Sequence, residues 1–153
     1  MKRCTFFIFL LALIFSLNAC GWQSRQDPVL ASLGRYEAKE FYTSGGFQDY
    51  TDFAKYTYSS TDLEDNPYFA PVSSADRDTL ELFLDDFENW IESIRWSDPG
   101  NEVVVNYAFD RSIIDTGDYF YIYQDEDYPK FGCYDIWFLD AQTGVLYYFH
   151  SNI

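Results

Sequence analysis

From Ser73 to Asp98 apolar residues return every three or four positions, at Leu80, Phe83, Leu84, Phe87, Trp90, Ile91 and Ile94. That interval is the period of an α-helix with one apolar face. Glu81, Asp85, Glu88, Glu92 and Arg95 fall on the opposite side. Ser73 and Ser74 stand where an N-cap is wanted, because a hydroxyl oxygen there accepts from backbone N–H groups that have no carbonyl before them. Asp76 and Asp78 lie in the first turn, where carboxylates complement the helix dipole. Asp98-Pro99-Gly100 ends the run. A helix with so broad an apolar stripe must bury it against a second layer, so this segment dictates what the rest of the chain has to supply.

The flanking segments read as strands. Tyr36–Thr43 and Tyr50–Ser59 are aromatic runs joined by Ser44-Gly45-Gly46, a hairpin signal. After the helix come Glu102–Asp110, Asp118–Gln124, Cys133–Asp140 and Val145–His150. The last two are linked by Asp140-Ala141-Gln142-Thr143-Gly144, with Asp at the start and Gly where a left-handed residue is needed. Short successive strands with tight turns pair antiparallel. The expected fold is therefore α+β: an antiparallel β-sheet packed against one long amphipathic helix. That element order is similar to helix-on-curved-sheet folds of the cystatin-like kind.

Alternation along a strand sends neighbours to opposite faces. Tyr119, Tyr121 and Tyr123 share one side, with Phe120 and Ile122 on the other. Tyr134, Ile136 and Phe138 oppose Asp135, Trp137 and Leu139, and Val145, Tyr147 and Phe149 oppose Leu146, Tyr148 and His150. Both faces are rich in large side chains, and one helix covers only one of them. Tyr119, Tyr121, Tyr123, Trp137 and Tyr148 form the candidate binding surface, since amphipathic rings suit half-wet contacts with a protein, a peptide or a glycan. The same residues also serve a purely structural sheet, where tyrosine rings pack sideways and hydroxyls reach water.

The beginning of the chain has a different character. Lys2 and Arg3 precede an uncharged apolar run of ten residues, Phe6 to Phe15, followed by Ser16-Leu17-Asn18-Ala19. A positive start, a short apolar core and a small-residue exit make up an export signal, and ten residues are too few for a span that needs about 20. Leu17-Asn18-Ala19-Cys20 resembles the lipobox of bacterial lipoproteins; Asn18 is a less usual occupant of its place. The resemblance implies a diacylglyceryl thioether on Cys20 and cleavage between Ala19 and Cys20. It also implies an extracytoplasmic location at a bacterial membrane, held by the lipid. Two acyl chains give a stable anchor where one gives reversible attachment. The expected division is a signal over 1–19, a lipidated tether over 20–28 (GWQSRQDP to Pro28) and a single α+β domain over 29–153.

Charge and reactive residues narrow the function. The chain has 25 acids against 10 bases and a formal charge of −15; loss of Lys2 and Arg3 would leave the 25 acids against 8 bases. Such a surface repels the polyphosphate backbone of a nucleic acid and cannot supply a polybasic grip on anionic lipid. Cys4, Cys20 and Cys133 offer no disulfide framework. His150 is the only histidine, so a nucleophile–base pair or a transition-metal site lacks parts, and no cofactor is expected. Asp62, Glu64 and Asp65, Asp85 and Asp86, Asp115 and Asp118, and Asp125, Glu126 and Asp127 are clustered acids, mostly solvated loops by their spacing. They leave open an acidic-site hydrolase or a calcium-binding surface protein. The foremost expectation is a non-catalytic interaction module on a lipid anchor.

Overall fold

The computed structural model describes residues 27–46, 49–61, 63–128 and 130–152. The chain divides between Ala31 and Ser32 into two compact units. In the first, Asp27 caps a short helix, α1 (Pro28–Ser32), its Oδ1 accepting the Val29 N–H at 2.8 Å. Pro28, expected only to close the tether, opens this turn, where its missing N–H costs nothing. The second unit begins at Ser32 and holds the sheet and the long helix.

Six strands form one antiparallel sheet: β1 (Ala38–Thr43), β2 (Tyr50–Thr57), β3 (Ala70–Pro71), β4 (Tyr119–Gln124), β5 (Cys133–Asp140) and β6 (Val145–Asn152). Their order is β1-β2-β6-β5-β4-β3. With the long helix α2 (Ser74–Ser97), this is the expected α+β arrangement. Local chemistry sets the hairpins. At the β5–β6 turn Asp140 Oδ1 accepts the N–H groups of Gln142 and Thr143 at 2.9 and 3.1 Å. Gly144 closes the turn at φ 69°, where a Cβ would sit 2.6 Å from the Tyr58 carbonyl oxygen. At the β1–β2 hairpin the Ser44 hydroxyl accepts the Thr51 N–H at 2.8 Å.

Helix α2 begins as its sequence requires: the Ser73 side chain accepts from the Asp76 N–H. Leu80, Phe83, Leu84, Phe87 and Ile91 are buried, with Ile94 packed at the margin. They meet the inner sheet face, made of Phe53, Tyr134, Ile136, Phe138 and Phe149. Phe87 lies 5.2 Å from Phe149 at 78°, and Phe83 5.2 Å from Tyr134 at 76°, the edge-to-face geometry that ring quadrupoles prefer. The Tyr134 hydroxyl donates to Asp86 Oδ2 at 2.9 Å, which satisfies the polar end of a wholly buried ring.

One expected strand is not a strand. Glu102–Asp110 opens with a second helix, α3 (Glu102–Asn106), then runs extended to a single 3-10 turn at Arg111–Ile113. Asn101 caps α3, its side chain accepting the Val103 N–H at 3.1 Å. Three consecutive valines favour extended backbone by propensity, yet Val103 and Val104 both join the helix-side core. Neighbours in a strand point to opposite faces, so only a helical turn buries both in one core. Tertiary packing overrides propensity here. Glu102 also accepts the Thr43 N–H at 3.2 Å, and Arg111 ties the following segment to α2 through Glu88 (2.9 Å) and Asp85 (2.6 Å). The two-residue edge strand β3 was not anticipated either.

Because Phe87 is fully buried and touches both layers, Phe87→Ala will lower the unfolding free energy in urea by about 3–5 kcal/mol. Trp96→Ala on the same helix, where the ring is 91% exposed, will change it by less than about 0.5 kcal/mol.

Candidate functional face

The outer sheet face is built by the alternate residues of the same strands. The register sets Phe41, Ala54, Tyr148, Trp137 and Tyr121 side by side across β1, β2, β6, β5 and β4. One step along lie Lys39, Tyr56, Leu146, Leu139 and Tyr119, and one step the other way Thr43, Asp52, His150, Asp135 and Tyr123. All five tyrosine and tryptophan candidates therefore share this face. Tyr121, Trp137 and Tyr148 are adjacent, whereas Tyr119 and Tyr123 stand at opposite ends of β4.

The rings are arranged as a ladder. Tyr68 approaches Tyr121 at 5.4 Å, Tyr121 stacks on Trp137 at 5.3 Å and 26°, and Trp137 meets Tyr148 at 5.3 Å. Tyr148 continues to His150 at 6.4 Å, and His150 to Tyr50 at 4.9 Å. Each interior ring is flanked on both sides by another. Trp137 is only 4% exposed, so it offers no open face to a sugar. Around Tyr56, Leu146 and Leu139 the face is closed, all three being buried, with Tyr36 edge-on to Tyr56 and Tyr58. The face is open at both edges: Phe41 on β1 is 42% exposed, and at the Tyr123 corner Tyr123 and Tyr128 are 46% and 45% exposed around the β4–β5 loop. Asp125 beside Tyr123 pushes its phenol above the ordinary range, which keeps the hydroxyl a donor.

Beside the ladder runs a buried polar row that sequence reasoning missed. Asp135 Oδ1 takes both the Tyr148 hydroxyl and His150 Nδ1 at 2.7 Å. A carboxylate oxygen accepts, so Nδ1 carries a proton and donates it to Asp135. His150 Nε2, Trp137 Nε1 and, on the next strand, Asp52 Oδ1 are buried without a hydrogen-bond partner among the described residues. Other buried acids differ: Asp118 accepts the N–H groups of Asp115 and Ala141, and Asp140 organises its turn. Burial raises the Asp52 carboxyl above the usual range and Asp135 adds to this, while the Thr43 side chain and His150 oppose it. The signal that could have found the row is Asp and His at aromatic-strand positions, but linking positions 52, 135 and 150 needs the register of three strands.

The remaining candidates are placed as follows. Cys133 is half-buried, and burial with Asp135 and Asp125 pushes its thiol up; a thiol held protonated is a poor nucleophile. Among the described residues no group of three or more His, Cys, Asp or Glu side chains could hold a metal ion. Ala19, Cys20 and Asp62 lie outside the described residues.

The raised Asp52 carboxyl has a definite consequence for stability. A carboxyl whose pKa rises on folding favours the fold while protonated, below about pH 3.9, and that contribution is lost as pH climbs through the folded value. Asp52→Asn keeps an acceptor for Thr43 and removes the buried charge. The variant will match the parent near pH 3 and melt at a higher temperature at pH 7; a lower Tm at pH 7 would contradict this assignment.

Comparison with protein-family models, with curated proteins and with solved structures yields no match to this chain.

Proposed function

We propose that this chain is an exported lipoprotein, anchored through acylated Cys20, whose folded unit is a non-catalytic interaction module that engages a basic protein or peptide. The anchor is supported by Leu17-Asn18-Ala19-Cys20 directly after an apolar run of ten residues. No helix among the described residues is long and apolar enough to cross a membrane.

The observation that carries the interaction reading is the Tyr123 corner. Two half-exposed tyrosines bracket Asp125, Glu126 and Asp127. Tyrosine contributes large, amphipathic contact area at interfaces, and a charge of −15 steers cationic partners toward it. The enclosed Trp137 ring argues against a stacked glycan. A non-catalytic role fits the enclosed His150 Nε2 and the protonated Cys133 thiol, neither of which is offered to a substrate.

Two measurements test the parts separately. Cells grown with an alkyne fatty acid will label the parent protein and leave Cys20→Ala unlabelled; equal labelling of both would end the anchor proposal. In a fluorescence-anisotropy screen of basic peptides, the best binder will lose about tenfold in affinity to Tyr123→Ala/Tyr128→Ala, as expected for truncated aromatic anchors. Retention of full affinity, or the absence of any saturable binder, would refute the interaction surface.

A further inference from the structure

Arg35 departs from the pattern of its kind. Arg77, Arg95 and Arg111 each hold a carboxylate, as expected where acids outnumber bases 25 to 10. Arg35 holds none among the described residues. It lines an open depression of about 640 Å³, with Tyr36 and Glu37 beside it and Ser59, Ser60 and Thr61 along another wall.

Backbone bonds reach the sheet at Glu37 and at Tyr58, the residue before Ser59. The Glu37 N–H donates to the Thr57 carbonyl at 2.7 Å, and the Tyr58 N–H to the Gly144 carbonyl at 2.9 Å. Tyr36 packs edge-on against Tyr56 at 5.2 Å and Tyr58 at 6.3 Å. Gly34, at φ 94°, allows the reversal just before Arg35.

The chemistry of the lining is selective. A guanidinium fork with three hydroxyls supplies more donors than the two oxygens of a carboxylate need, and suits the tetrahedral phosphate of an ester, whose free and bridging oxygens number four. Glu37 repels a plain anion but complements an ammonium. We infer that this depression binds a phosphate ester carrying an amine, with Arg35 and the hydroxyls of Ser59, Ser60 and Thr61 on the phosphate and Glu37 on the ammonium. The ligand is a soluble phospho-amine or the headgroup of a zwitterionic lipid. Fifteen residues from Cys20 to Arg35 span at most about 50 Å, so an anchored chain would hold the depression close to headgroups at high effective concentration.

This site shares no residue with the Tyr123 corner and does not depend on it. The full chain in non-ionic detergent micelles is titrated calorimetrically with O-phosphoethanolamine and with inorganic phosphate. The expected result is saturable binding of both, with O-phosphoethanolamine tighter. Arg35→Gln will bind each about tenfold more weakly, the scale of a lost charge-assisted contact. Glu37→Gln will abolish the preference between them while phosphate binding persists. Ser59→Ala/Ser60→Ala provides an independent variant that weakens both. Doping the micelles with phosphatidylethanolamine separates the sources: a headgroup site loses apparent affinity for the added solute, and a site for a soluble ligand keeps it. No saturable binding in any arm, or parental affinity in Arg35→Gln, would overturn the inference.

Discussion

The burial of one helical stripe against one sheet face is the interaction on which everything else rests. Leu80, Phe83, Leu84, Phe87 and Ile91 meet Phe53, Ile136, Phe138 and Phe149 in a core dominated by aromatic rings. No disulfide or metal supports the described residues, so removal of apolar area from water is the principal favourable contribution. Large rings give much buried area from few residues, and their edge-to-face contacts add direction to a force that otherwise has none. This fixes which face of each strand points inward. Because alternation is strict, it fixes the outer face as well.

That outer face follows different physics at its two ends. Around Leu139 and Leu146 it is sealed. The Trp137 ladder lies in the middle, and beyond it the Asp52–His150–Asp135 row runs on to Tyr123 at the charged corner. A buried polar group costs free energy unless it finds a partner, and here Asp135 is doubly satisfied while Asp52 leaves an oxygen unpartnered. The cost is tolerated within a well-packed sheet, and it sets a pH-sensitive contribution beside an aromatic ladder. Stacked rings and a histidine held by Asp135 keep this part of the face closed.

Much of this architecture was legible in residue order. The period of Leu80 to Ile94 located α2, the Asp140–Gly144 spacing located the β5–β6 turn, and alternation correctly sorted Tyr121, Trp137 and Tyr148 onto one side. Glu102–Asp110 was misread because three valines carry a local preference that the core overrode: Val103 and Val104 must both turn inward. The two-residue strand β3 is too short to announce itself. His150 looked like an isolated histidine because Asp135 and Asp52 are distant in sequence and meet it only through strand pairing.

The sequence by itself determined the periodicities, the turn chemistry, the acidic charge and the export-like segment ending at Cys20, since each depends on residues that are neighbours along the chain. Tertiary structure alone decided the order β1-β2-β6-β5-β4-β3, the companions of His150, the enclosure of Trp137 and the placing of Arg35 out of ion-pair reach of any carboxylate among the described residues. Those depend on register and coverage, and a shift of one residue in any strand would exchange its two faces without altering a single local pattern.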